Sequence, residues 1–204
     1  MSDLKRETMI VGVTGGIACG KSEVGRILGE MGFAVLDADV VARDLMDKGS
    51  PVFREVVDHF GERILSSEGE IARPILGKIV FEDSEERGVL NGLVHPAVRK
   101  RLSKWISERR AEGRSAAVLI PLLFESGMES LGFDAVLCVS SPEAEVFRRL
   151  ERRGLSRREA EQRIRSQMPT REKEKRANYV VPNGGTLGEL ELATRKTVDA
   201  IFER

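Results

Sequence analysis

The run Met9-Ile-Val-Gly-Val-Thr14, followed at once by Gly15-Gly-Ile-Ala-Cys-Gly-Lys-Ser22, constrains this chain more than any other segment. The first half is short and β-branched, which reads as a buried strand. The second half is a complete phosphate-binding loop, Gly15-x-x-x-x-Gly20-Lys21-Ser22. Apolar Val24, Ile27, Leu28 and Met31 then fall on one helix face, which Gly32 stops. In that order, successive backbone N–H groups turn inward at a helix N-terminus, where the helix dipole adds partial positive charge. Gly15, Gly16, Ala18, Cys19, Gly20, Lys21, Ser22 and Glu23 are therefore the candidate ATP-binding residues. Lys21 is expected to reach the β- and γ-phosphates, and the Ser22 hydroxyl to ligate Mg²⁺.

A second apolar run, Phe33-Ala-Val-Leu36, completes a β-α-β unit of about thirty residues, the signature of a parallel sheet with right-handed crossovers. Ala116–Ile120, Asp134–Val139 and Tyr179–Val181 read as three further strands. The fold class expected is α/β with a mainly parallel five-stranded sheet. Residues 40 to 114 carry mostly helical signals. Ser50-Pro51 caps one helix running to Phe60, Arg73 to Phe81 and Glu86 to Val94 suggest two more, and His95-Pro96 opens an amphipathic helix to Arg110. Ser141-Pro142 starts a helix that Gly154 breaks, Ser156-Arg-Arg-Glu159 has capping-box spacing, and Leu187–Phe202 makes a terminal helix.

Composition narrows the function classes. The chain has 204 residues, suited to one domain, with 33 Lys plus Arg against 33 Asp plus Glu. A generic binder of nucleic acid or anionic membrane would show a basic excess. The longest apolar stretches, such as Ala116–Phe124, fall far short of the roughly 18 residues that span a bilayer. Met1–Thr8 is short and of mixed charge, without a signal pattern. Two distant cysteines suit a reducing cytosol. No exposed heptad or long apolar stripe argues for a dimer. These features lead us to expect a cytoplasmic monomer or weak homo-oligomer, with no nucleic-acid or membrane partner.

The zero net charge hides a local surplus. Residues 141 to 176 hold twelve Lys or Arg against seven Asp or Glu. Arg148, Arg149, Arg152 and Arg153 lie on the first helix of this hairpin, and Arg157, Arg158, Arg163 and Arg165 on the second. Guanidinium groups on such a lid can close over a triphosphate and neutralise developing charge. Most of them are expected to pair with interleaved glutamates, and two or three to meet ligand; Arg149 and Arg153 are the candidates.

Asp37 and Asp39 follow the second strand, at the edge where open parallel sheets place ligands. A carboxylate there can orient an acceptor hydroxyl and take its proton. If the strand continues through Asp39, both side chains face the same way; alternatively, one of the two caps a helix beginning near Val40. Cys19, at a helix N-terminus, is either a small filler or a thiol of lowered pKa open to oxidation. His59 reads as a surface residue.

Thr14-Gly-Gly-Ile with Gly-Lys-Ser, Asp37-Ala-Asp-Val-Val-Ala-Arg43, His95-Pro96, Pro121-Leu-Leu-Phe-Glu125, Arg163-Ile-Arg-Ser-Gln167 and Asn183-Gly184 together closely resemble dephospho-coenzyme A kinase. The motifs occur in that family's order between Met9 and about Gly185. The resemblance implies a P-loop nucleotide-kinase-like three-layer fold in a single domain. Its core would be about 1–39, 115–140 and 177–204, its helical acceptor-binding region about 40–114 and its basic lid about 141–176. It implies transfer of the ATP γ-phosphate to the ribose 3′-hydroxyl of dephospho-CoA, with Asp39 as general base, Lys21 as phosphate clamp and Ser22 on Mg²⁺. Asp37, Arg43, His95 and Glu125 would shape the acceptor site, and Asn183 and Gly184 would lie near adenine. From the residues alone, His95 before proline is equally a helix-start residue, and Glu125 equally a partner for a backbone amide. Ala18-Cys19, Glu23 and Pro182 depart from the family pattern, Glu23 by bringing negative charge near phosphates. A kinase for another small hydroxyl metabolite shares the loop, lid and aspartate. A nucleotide switch that transfers nothing would leave Asp39 and the arginines without a task, and the chain has no Asn-Lys-x-Asp segment.

Overall fold

Five parallel strands make one sheet in the order β2-β3-β1-β4-β5. They are β1 (Ile10–Gly15), β2 (Ala34–Asp37), β3 (Ala116–Leu119), β4 (Ala135–Ser140) and β5 (Tyr179–Pro182). The structure is a computed structural model, and it describes residues 8–203. Residues 1–7, most of the charged lead-in weighed above for a signal pattern, lie outside the described residues. The α/β expectation of five strands therefore holds.

Burial on both faces explains why the strands read as continuous apolar runs instead of alternating ones. Val11, Val13, Ala117, Leu119, Leu137, Val139 and Val181 pack with Val24, Ile27 and Leu28 of α1 (Lys21–Glu30) and with Leu190, Val198 and Ile201 of α9 (Leu187–Phe202). Alternation sends Thr14 and Cys138 to the opposite face. There α8 (Thr170–Arg176) lies along β1 and β4. Helices on both faces give three layers. Because all strands are parallel, their carboxyl ends gather at one edge.

The polypeptide clusters into two compact units, one of residues through Asp37 with those from Trp105 onward, the other Ala38–Lys104. The first holds the sheet, α1 and α6 to α9. Its hairpin pairs α6 (Glu143–Arg152) with α7 (Arg157–Arg165), and Ser156 and Glu159 close both halves of the capping box read from the sequence. Ala18 of the phosphate loop packs into this hairpin's own cluster of Phe147, Leu150 and Ala160. The second unit holds α2 (Ala38–Leu45), α3 (Pro51–Phe60), α4 (Arg73–Glu82) and most of α5 (Ser84–Ala111). Ser50 caps α3 as expected, its hydroxyl accepting from Phe53 N–H at 2.9 Å with Pro51 in the first turn.

One expectation is corrected, one open alternative is decided and one helix is new. His95-Pro96 opens no helix: α5 runs unbroken for 28 residues through Pro96. Gly92, whose carbonyl loses its N–H partner to the proline, is exposed, as is Pro96, so water can serve the freed group. The strand does not continue through Asp39: β2 ends at Asp37 and α2 begins at Ala38. An aspartate in a helix's first turn is favoured by the dipole, and Asp39 sits there. Helix α8 was not foreseen at all, because its segment is nearly all charged.

Candidate active site

The phosphate loop bends through two left-handed residues, Ala18 at φ 56° and Gly20 at φ 99°. Gly20 must be glycine on two counts. Its backbone disfavours a side chain, and a Cβ there would lie 2.1 Å from the Asn183 amide nitrogen. Ala18 tolerates the same backbone because its methyl is buried with Phe147 and Leu150. Lys21 folds back over the loop, its Nζ donating to the carbonyls of Gly15 (3.1 Å) and Gly16 (2.8 Å). Ser22 is exposed in the first turn of α1. The Glu23 carboxylate, suspect on sequence grounds, accepts from Arg26 Nε at 2.7 Å, so its charge is balanced along the helix.

A clasp of side chains joins this loop to the ends of β4 and β5. Asn183 Nδ2 donates to Cys19 O at 2.8 Å. Arg149 Nη1 donates to Ala18 O and to Ser141 Oγ, both at 3.1 Å, while Nη2 donates to Asn183 O (3.2 Å) and Oδ1 (3.3 Å). The Ser141 hydroxyl donates to Asn183 O at 2.7 Å and to Cys19 O at 3.1 Å. Beside the clasp lies a cavity of about 680 Å³ whose walls include Gly16, Ser141, Val146, Gln167, Asn183 and Gly184. Pro182 ends the edge strand β5, and the next N–H, that of Asn183, donates to Ser140 O at 2.6 Å.

Two further arginines of the hairpin pair with glutamates. Arg148 pairs with Glu145, and Arg157 with Glu161 at 3.0 Å while its guanidinium lies 3.5 Å from the Phe147 ring centre. Arg153 is exposed at the C-terminal cap of α6. For Cys19 the structure favours the small filler over the thiol of lowered pKa. Its side chain is 1% exposed and donates to Gly16 O at 2.8 Å, and burial pushes its pKa up against the opposing pull of Lys21 and Lys173.

The acceptor candidates belong to different elements of the two units. Asp37 ends β2, and Asp39 is exposed in the first turn of α2. Arg43 Nε donates to Asp39 O at 3.1 Å, one helical turn back. His95 is half-buried within α5, and loss of solvent lowers its pKa. Glu125 does meet a backbone amide: its Oε1 accepts from Met168 N–H at 2.9 Å and lies 2.8 Å from Lys173 Nζ. His59 is a surface residue paired with Glu86 at 2.7 Å.

A model of the family described as dephospho-CoA kinase matches residues 9–189, a span that includes the loop, the clasp and Glu125. The chain belongs to the dephospho-CoA kinase family. A dephospho-CoA kinase of Carboxydothermus hydrogenoformans is 47% identical over 96% of this chain and 93% of its own. One of Bacillus anthracis is 42% identical over 97% of each. The solved dephospho-CoA kinase of Campylobacter jejuni superposes with a TM-score of 0.71 at 31% identity, covering 95% of this chain and 97% of its own. Shikimate kinase of Acinetobacter baumannii shares the fold alone, at TM-score 0.56 and 18% identity over 97% of this chain and 95% of its own. Nothing in the sequence pattern of this chain singles out Ser141, Lys173 or the Met168 amide. Ser141 passed for a helix-start residue, and Lys173 is one cation in a charged run.

Proposed function

We propose that Asp39, Lys21 and Arg149 carry out this enzyme's reaction, the ATP-dependent phosphorylation of the ribose 3′-hydroxyl of dephospho-CoA. The products are CoA and ADP, and the reaction is the last step of coenzyme A biosynthesis. Backbone amides from Gly15 to Glu23 cradle the phosphates, with Lys21 swinging from its loop carbonyls onto the β,γ-bridge. Arg149 and Arg153 neutralise charge on the transferred group, and Asn183 and Gly184 border the adenine. Asp39 takes the proton of the 3′-hydroxyl as that oxygen attacks phosphorus. Asp37, Arg43, His95 and Glu125 hold the acceptor. Since both Glu125 contacts fall on Oε1, its Oε2 is the atom assigned to the acceptor.

Among the described residues no cluster of three or more His, Cys, Asp or Glu could hold a metal. One hydroxyl, Ser22, fits the habit of Mg²⁺ to take one or two protein oxygens beside substrate phosphates and water. Bound there, the ion would supply charge neutralisation across the phosphate chain. We divide the single domain functionally into core (1–39, 115–140, 177–204), acceptor region (40–114) and lid (141–176). We also propose a cytoplasmic enzyme, monomeric or weakly self-associating, without nucleic-acid or membrane partners. The balanced charge and the two free, buried cysteines support this, and no described helix is long and apolar enough to cross a membrane.

The observation that carries the reading is the loop with its glycine-dependent bend, sealed by the Arg149–Asn183–Ser141 clasp. Coupled ADP detection tests it. ADP release should require dephospho-CoA; equal release without acceptor, or with nucleoside monophosphates in its place, overturns it.

A further inference from the structure

Lysine is almost never fully buried unless paired, and Lys173 is 0% exposed. Its Nζ donates to Pro121 O at 2.6 Å and lies 2.8 Å from Glu125 Oε1. Each partner is shared. Pro121 O also accepts the Thr14 hydroxyl at 3.2 Å, from the penultimate residue of the strand that feeds the phosphate loop. Glu125 Oε1 also accepts Met168 N–H at 2.9 Å, in the link 166–169 where the lid hairpin returns to the core between α7 and α8. The head of α8 touches the loop itself, since a Cβ on Gly16 would lie 2.6 Å from Thr170 Oγ1. The Lys173 charge is felt at Cys19, within the loop.

One buried ammonium thus ties together the strand entering the loop, the turn after β3 and the link between α7 and α8. Packing alone would be served as well by an apolar side chain of similar volume. We propose that Lys173 is a positioning residue for phosphoryl transfer: through Glu125 and Pro121 it fixes the lid pivot at 166–169 relative to the phosphate loop, so that the α6–α7 hairpin closes over ATP in one register. The proposal rests on the kinase reading above.

Steady-state kinetics of Lys173→Met, Lys173→Arg, Glu125→Gln and the double variant Glu125→Gln/Lys173→Met test it. Each is assayed at the same interval below its own Tm, so that loss of folded protein does not enter. Lys173→Met should lower kcat about 10-fold or more and raise KM for ATP, leaving KM for dephospho-CoA within about 2-fold of wild type. Lys173→Arg should keep most of the activity. The loss of kcat in the double variant should be no deeper than in Lys173→Met, because at the 166–169 link both substitutions break one contact, while the acceptor contact assigned to Glu125 Oε2 shows as a raised KM for dephospho-CoA in both variants that carry Glu125→Gln. Wild-type kcat in Lys173→Met, or losses of kcat that multiply in the double variant, would overturn the proposal. Failure of the kinase reading shows separately, as absent wild-type turnover. The pivot is then read from amide exchange at Met168, which should quicken in Lys173→Met, and unchanged exchange counts against the proposal.

Discussion

In the sheet unit, the groups assigned to ATP are mostly backbone. The loop amides, the left-handed Gly20 and the carbonyls that hold Lys21, Arg149 and Asn183 depend little on which side chains the loop carries. In the unit of residues 38–104, the groups assigned to the acceptor are side chains on helices: Asp39 and Arg43 on α2, exposed, and His95 on α5, half-buried. A backbone cradle tolerates Ala18 and Cys19 as long as the bend survives. A carboxylate that must take a proton tolerates no replacement. Substitutions should therefore fail differently on the two sides, and kinetics with each substrate can separate them.

The deepest losses should come from the two charged groups to which the reaction is assigned. Lys21→Ala is expected to lower kcat about 10²- to 10³-fold through lost charge stabilisation, and an unchanged rate would remove its clamp role. Asp39→Asn should cost about 10²-fold or more in kcat with ATP affinity nearly intact, measured by calorimetry beside turnover. Loss through ATP affinity instead would erase the contrast between the two sides.

Next come the residues that shape the cradle. Gly20→Ala adds about 1–2 kcal/mol of left-handed strain to a collision with the Asn183 amide. Weaker ATP binding and a lower Tm should follow, with KM for dephospho-CoA little changed. Arg149→Ala removes charge-assisted bonds worth about 1.5–3 kcal/mol to a neutral partner, so ATP affinity should fall about 10-fold. Arg149→Lys should recover only part of it, since an ammonium lacks the guanidinium fork.

Two smaller effects sharpen the comparison at its margins. Burial holds the folded-state pKa of His95 below its ordinary value of 6.5. The unfolded chain then takes up the proton first as pH falls. Stability from this group is complete above about pH 6.5 and is lost as pH drops through it. Tm measured between pH 7.5 and 5.5 should fall more steeply in wild type than in His95→Gln. Cys19→Ser should be inactivated by peroxide at the wild-type rate, because the buried thiol has a raised pKa. Protection by the serine would show that the thiol is reached after all.

Local rules read much of this molecule correctly. The five apolar runs became five strands because both sheet faces are covered, and Ser50-Pro51 and Ser156–Glu159 became caps because their side chains close hydrogen bonds within one turn. Pro96 misled, since the rule that proline ends a helix assumes that nothing serves the freed carbonyl of Gly92. Lys173 was illegible for the opposite reason. In a run of alternating charges only the position of α8 under the loop distinguishes a buried cation from solvated ones.

From the sequence alone came the phosphate cradle, the parallel sheet and the charge surplus of the lid. Each rests on neighbours along the chain: glycines where the backbone must bend, apolar periodicity, and arginines a helical turn apart. Only the tertiary structure decided that Arg149 and Asn183 clasp the loop, that Cys19 is shielded and that Glu125 answers to Lys173. Arg149 lies 131 positions from Ala18 and Asn183 lies 164 positions from Cys19. The cost and strength of such contacts depend on burial, which no local pattern encodes.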